Sequence, residues 1–247
     1  MGALRDQIIE YVNDYLRISE FKDYGPQGLQ VQGRESVEKI ATGVSASVQL
    51  FEKAVSVGAD MILVHHGILW DKESHVVKGG FKQRLETLLL NELSLLAYHL
   101  PLDKHPELGN NALAARFLEM NDLEEFADVG WSGTIPPCSF DVLLAKVHEL
   151  YDFDPLVFAY GPERIDRIGI CSGGAERAIT EAIDRGLDAF ITGEVAEPTM
   201  HLAREGHIHF IAAGHYATER LGIKALGEHV AQHFGVDVEF IDIPNPV

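Results

Sequence analysis

The chain reads as an α/β protein made of two similar halves. Three observations predict this. Short apolar runs alternate with amphipathic helical stretches along most of the length. Those runs end in glycine turns or histidines, the usual place for ligands in open α/β sheets. The order of elements in the first half then recurs in the second.

The N-terminal stretch MGALRDQIIEYVNDYL has helical periodicity and carries Asp and Glu, unlike a signal or transit peptide. YGPQGLQVQG is a turn leading into a short strand at Leu29 to Val31. Ile40 to Val44 reads as a strand and Val48 to Val57 as a helix stopped by Gly58. Met61 to Val64 is the next strand, and it runs into His65, His66 and Gly67. Two adjacent imidazoles there can serve two metal ions, one each, if Gly67 bends the chain so that both face one cavity. The bland alternative is one core ring and one surface ring. A loop holding Trp70 and His75 follows; it reads equally as a lid, an inter-subunit contact or plain surface. Next come a helix from Phe81 to Asn91, a strand from Ser94 to Tyr98, the segment HLPLD (His99 to Asp103), and a helix from Ala112 to Leu118.

Arg164 to Glu194 lies over Ser36 to His66 at an offset of 128, matching Ile40 with Ile168, Gly58 with Gly186 and Asp60 with Asp188. Further on, an offset of 116 lays His99 on His215 and Asp103 on Glu219. This predicts an internal duplication, residues 1–125 and 126–247, with the site in the cleft between the halves.

The bulk numbers exclude several classes. With 46% hydrophobic and 23% charged residues, and no apolar run near the ~18 of a spanning helix, this is a soluble chain, expected in the cytoplasm. Its net charge of −18 argues against direct nucleic-acid binding. It still admits an anionic small substrate if divalent ions reverse the local field. Cys138 and Cys171 make neither a disulfide framework nor a zinc pattern, and Cys171 reads as core packing.

The polar residues at strand ends are His65, His66, His99, Asp103, His215 and Glu219. Imidazole and carboxylate together suit zinc, iron, manganese or nickel without thiolate. His215 and Glu219 are four apart at an apparent helix start, which puts them on one face. Such a set fits two divalent ions about 3.5–4 Å apart that lower the pKa of a shared water. Glu194 reads either as a group orienting a ligand or as a helix N-cap carboxylate. CSGGAE, at Cys171 to Glu176, reads as a tight β–α turn rather than a phosphate seat, having no P-loop lysine. His209 reads as packed in a strand.

HHG after a strand, HLPLDKHPELGNN, TGEV, AAGHYATE and the closing FIDIPNP resemble the YbgI-like, Nif-three-like family, whose members are often labelled type-two GTP cyclohydrolase I homologues. The resemblance covers essentially the whole chain. It implies a dinuclear site between two α/β halves and a homohexameric ring. It implies His65, His66, Asp103, His215 and Glu219 as metal ligands, Glu219 bridging, with His66 and Asp103 on one ion and His65 and His215 on the other. The internal repeat makes His99 a ligand; the family pattern leaves it beside the metals as a proton-transfer group. The function expected is a metal-dependent hydrolase, a metal-bridging hydroxide attacking a nucleotide-type substrate by ring opening or by hydrolysis of damaged nucleotides. His99 and Glu194 would move protons. The alternative is a metal-handling or partner-binding protein with little catalysis.

Overall fold

The computed structural model describes residues 2–74 and 76–247, so His75 lies outside the described residues. The chain opens with β1 (Ala3–Leu4), α1 (Arg5–Tyr15), β2 (Gly28–Val31), β3 (Ser36–Val37) and β4 (Lys39–Ser45). It continues through α2 (Val48–Ser56), β5 (Met61–His66), α3 (Gly79–Leu90), β6 (Ser94–Ala97) and α4 (Leu100–Asp103). Then come α5 (Asn110–Phe117), β7 (Asn121–Phe126), β8 (Gly130–Ser139), α6 (Phe140–Tyr151), β9 (Leu156–Ala159) and β10 (Arg164–Cys171). The remainder is α7 (Ile179–Asp184), β11 (Ala189–Thr192), α8 (Thr199–Glu205), β12 (His209–Ala212), α9 (His215–Thr218), α10 (Arg220–Phe234) and β13 (Asp237–Phe240). Mixed α/β architecture is thus as expected. β7 is an addition: the residues of NDLEEF are exposed except Phe126, so its apolar signal is weak.

Contacts divide the chain into two compact units. The first holds the residues up to Leu102 plus Gly222–Ile243; the second holds Asp103–Leu221 and Pro244–Val247. Most of α10 and all of β13 therefore belong with the first unit, because β13 pairs in parallel with β4. A cut at residue 125 does not describe these contact units.

The first unit carries a sheet ordered β13-β4-β5-β6-β2, with β4, β5 and β6 parallel and β2 antiparallel to β6. β5 is buried along nearly its whole length, as a strand covered on both faces must be. Its core gathers Leu50, Phe51, Ile62, Val64, Leu88 and Leu95. Val48–Ser56 is helical because apolar Leu50, Phe51 and Ala54 share one face, and Ser47 caps it by accepting from Leu50 N–H at 3.2 Å.

The second unit carries a sheet ordered β7-β8-β10-β11-β12-β9. Here β10, β11 and β12 are parallel, β9 is antiparallel to β12, and β8 is antiparallel to β10. Its two cores collect around Leu143, Ile168 and Ile191, and around Phe126, Phe190 and Phe210. Among the described residues no helix is long and apolar enough to cross a membrane.

Candidate metal centre

In the first unit β5 extends through both histidines, two residues beyond the expected Val64. The rings of His65 and His66 lie 4.7 Å apart between centroids. At Gly67 a Cβ would meet the far end of the Gln30 side chain, whose Oε1 accepts from Ile68 N–H at 2.7 Å. His65 is fully buried, and its Nδ1 donates to the Tyr98 carbonyl at 2.9 Å, leaving the lone pair on Nε2. His66 Nδ1 lies 3.1 Å from the Ser45 hydroxyl, its register partner on β4. His99 follows β6, and its Nδ1 faces Asp23 Oδ1 at 2.8 Å. His65, His66 and His99 each bring a ring nitrogen within 4.8 Å of the others. Trp70 stands edge-on to His99, centroids 5.5 Å apart, and donates its indole N–H to Gly67 O at 3.2 Å.

In the second unit His215 opens α9, and Glu219 follows its last residue. His215 Nε2 lies 3.1 Å from Glu219 Oε2, and its Nδ1 lies 2.5 Å from Glu194 Oε1. Glu194 thus orients an imidazole; it does not cap α8, which begins five residues on at Thr199. Burial opposes charge on His215, but the hydrogen bonds and charges of Glu219 and Glu194 outweigh it and push its pKa up to about 9. Asp103 ends α4, and its Oδ1 accepts from Asn110 at 2.8 Å and Ser172 Oγ at 3.1 Å. Ser172 is held in turn by Asn111, which accepts its N–H at 2.8 Å.

Carboxylate oxygens of Asp103 and Glu219 lie within 4.8 Å of each other, with the residues 3% and 2% exposed. Two buried carboxylates that close repel unless a cation compensates them. Without metal a protonated His215 supplies part of that charge beside Glu219. The donor set therefore fits a divalent ion.

The CSGGAE turn organises these side chains. A Cβ on Gly173, whose φ is +69°, would strike the Glu219 carboxylate. Gly173 N–H donates to Thr218 Oγ1 at 3.0 Å, and its carbonyl accepts from Thr192 Oγ1 and from Glu194 N–H, both at 3.2 Å. The turn thus serves the acids as well as joining β10 to the next helix.

Cys171 is buried at the end of β10; burial, then the charges of Asp103 and Glu219, push its thiol well above the ordinary range. Its sulfur faces Ala127 O at 3.7 Å and joins none of the histidine and carboxylate clusters among the described residues. His209 is packed as expected, stacked on Phe140 at 4.3 Å and bonded through Nε2 to Pro162 O at 2.9 Å. Asp23, Asn110 and Ser172 were not among the expected residues. HPELGNN and CSGG contain two of them, but nothing in their local spacing marks Asp103 as their partner.

A recess of about 290 Å³ in the second unit is walled by Phe153, Leu156, Val195 and Val247 beside Glu194. A larger one of about 470 Å³, between α2 and α3, is lined by residues such as Val48, Glu52, Glu86 and Leu90 and by no histidine.

Residues 3–246 match the family model described as Duf34/NIF3 (NGG1p interacting factor 3). A GTP cyclohydrolase 1 type 2 homolog from Pasteurella multocida is 47% identical, covering 100% of both chains. Among solved structures, the protein ybgI, of unknown function, is 44% identical with a TM-score of 0.95, covering 99% of this chain and 100% of its own. TTHA1606 from Thermus thermophilus is 35% identical with a TM-score of 0.92, over 99% and 100% of the two chains.

Proposed function

The chain belongs to the Duf34/NIF3 family, and on that premise we propose a dinuclear metal-dependent hydrolase acting on a nucleotide-type substrate. His65, His66, Asp103, His215 and Glu219 would hold two divalent ions of zinc, iron, manganese or nickel. The observation that carries this is the facing pair of buried acids, Asp103 and Glu219, with His215 against the latter. A divalent pair supplies Lewis acidity and a water-derived nucleophile near neutral pH.

The chain's own residues then do the rest. Tyr98 O fixes the His65 tautomer, Glu194 orients His215, and Asn110 with Ser172 holds Asp103 through one of its carboxylate oxygens. The recess beside Glu194 offers apolar walls for a planar base and a carboxylate for its N–H edge. The negative surface is overcome at the site by the ions' own charge, which admits phosphate. His99 and Glu194 are the groups placed to hold protons.

We also read the chain as a duplication of two halves, residues 1–125 and 126–247, whose bounds differ from those of the contact units, assembled into a homohexameric ring in the cytoplasm. A four-strand block in each sheet, β4-β5-β6-β2 and β10-β11-β12-β9, has the same order and directions, which supports the duplication. A metal-handling protein is the rival reading, favoured by the deep burial of His65, Asp103 and Glu219. Against it stand the partly open side chains of His215 and Glu194, 27% and 39% exposed.

The test is metal analysis of purified protein followed by a nucleotide-hydrolysis screen of wild type and Glu219→Ala. Two metal equivalents, with turnover abolished in the variant, are expected. Metal-free wild type, or turnover that survives the substitution, rejects the hydrolase. Metal bound with no turnover in a broad screen selects the handler.

A further inference from the structure

The His99 ring is held through Nδ1 by a carboxylate that lies 76 residues away in sequence. Asp23 sits in the loop between α1 and β2, its side chain 1% exposed. Its Oδ1 accepts from Tyr24 N–H at 2.6 Å and from His99 Nδ1 at 2.8 Å, and its Oδ2 accepts from Leu100 N–H at 2.9 Å. Gln27, from the same loop, accepts His99 N–H at 2.7 Å. The loop thus grips the ring and the backbone on both sides of it. A buried carboxylate with three donors stays ionised and acts as acceptor only. Burial pushes the Asp23 pKa up, but the His99 hydrogen bond and charge and the two backbone donors more than reverse this, so it lies below the usual range.

An acceptor at Nδ1 puts the imidazole proton there and the lone pair on Nε2. The ring stands 5.0 Å from His65 and 5.5 Å from His66 between centroids. Its side chain is 14% exposed, whereas His65 is fully buried. His99 therefore borders solvent where His65 does not. The strand register also separates His99 from His215. Ser94 and His209 hold equivalent places opposite Met61 and Ala189, an offset of 115 that lays His99 on Gly214 and Leu100 on His215. The expected offset of 116 fails here by one residue, so the repeat gives no reason to make His99 a ligand.

We propose that Asp23 is a positioning residue that locks His99 in its Nδ1–H tautomer, presenting Nε2 as a hydrogen-bond acceptor for a donor hydrogen of substrate or attacking water, outside the ligand set. This rests on the reading of His65 and His66 as ligands.

The test has two readouts. In metal-free protein labelled with ¹⁵N-histidine, long-range ¹H–¹⁵N correlation reports each ring's tautomer, with His99 assigned from His99→Gln. Wild type shows the His99 proton on Nδ1. Asp23→Leu moves it toward Nε2, and Asp23→Asn, which keeps an acceptor oxygen, retains it on Nδ1. The Asn variant also covers the case in which Asp23→Leu does not fold. In the second readout zinc is titrated into wild type, Asp23→Asn, Asp23→Leu and Glu194→Leu. Losing the carboxylate behind a ligating imidazole costs about 10–100-fold in affinity. Glu194→Leu should show that loss, and both Asp23 variants should stay within about threefold of wild type. A wild-type His99 proton on Nε2 overturns the proposal, as does a loss in the Asp23 variants as large as that in Glu194→Leu. Wild type that takes up no zinc defeats the metal-site reading instead, and the tautomer measurement still decides whether Asp23 governs His99.

Discussion

In the first unit β4, β5 and β6 run parallel and β2 closes one edge antiparallel; in the second, β10, β11, β12 and β9 repeat that arrangement. The likeness reaches single hydrogen bonds. Asp60 Oδ2 accepts from the N–H groups of Glu38 and Lys39 at 2.8 and 3.1 Å; Asp188 Oδ2 accepts from those of Asp166 and Arg167, both at 2.9 Å. The chemistry is arranged differently. In the first unit the imidazoles end the middle strand β5. In the second, the places matching His65 and His66 hold Gly193 and Glu194, and the imidazole is His215, after β12. A side chain at Gly193 would collide with the His215 backbone, so that position cannot carry a ligand. The comparison teaches that two sheets can have the same backbone clamps while their imidazoles stand on different loops, as expected when function resides in sites grafted on a fold.

The largest break in this comparison comes from the acids, which have no counterpart at the end of β5. Glu219→Ala should lower metal affinity by more than the about 10–100-fold typical of an outer partner, measured by metal titration. An unchanged affinity would remove Glu219 from the ligand set.

Next is the pH response of metal-free protein. His215 is raised from 6.5 to about 9 in the fold. The folded state therefore holds the proton more tightly, and the stabilisation is fully present below about pH 6.5 and lost as pH rises through about 9. Urea unfolding of wild type and His215→Gln should differ by up to about 3 kcal/mol at pH 6 and converge near pH 10. A gap that widens with pH would contradict the paired-imidazolium geometry. Metal binding, which needs the neutral ring, should tighten over the same window.

The shared clamps give a smaller effect. Asp60→Ala and Asp188→Ala each strand two backbone donors and should each cost about 1–3 kcal/mol. Asp60 should be the costlier, since it also takes Arg34 at 3.0 Å. Thermal unfolding measures both, and a neutral Asp188→Ala would show that the repeat of these bonds is incidental. Smallest is Lys39→Ala, which removes the Lys39–Glu239 pair between β4 and β13, at 2.5 Å and with Glu239 44% exposed. It should change stability by no more than about 1 kcal/mol, and a larger loss would mean that this pair anchors β13.

The sequence by itself pointed to a mixed α/β chain, with strands at Ile40 to Val44, Met61 to Val64 and Ser94 to Tyr98 and a helix from Val48 that the structure contains. These are local properties: apolar periodicity, glycine stops and histidines at strand ends are each legible within a dozen residues. Only the tertiary structure decided that β13 joins the first sheet, that β6 and β12 match at 115 rather than 116, and that Asp23 holds His99. The same is true of Asn110 and Ser172 on Asp103. Such bonds join loops tens of residues apart, and a buried polar group takes whichever partner the packed chain brings within about 3 Å. Local pattern carries no record of that choice.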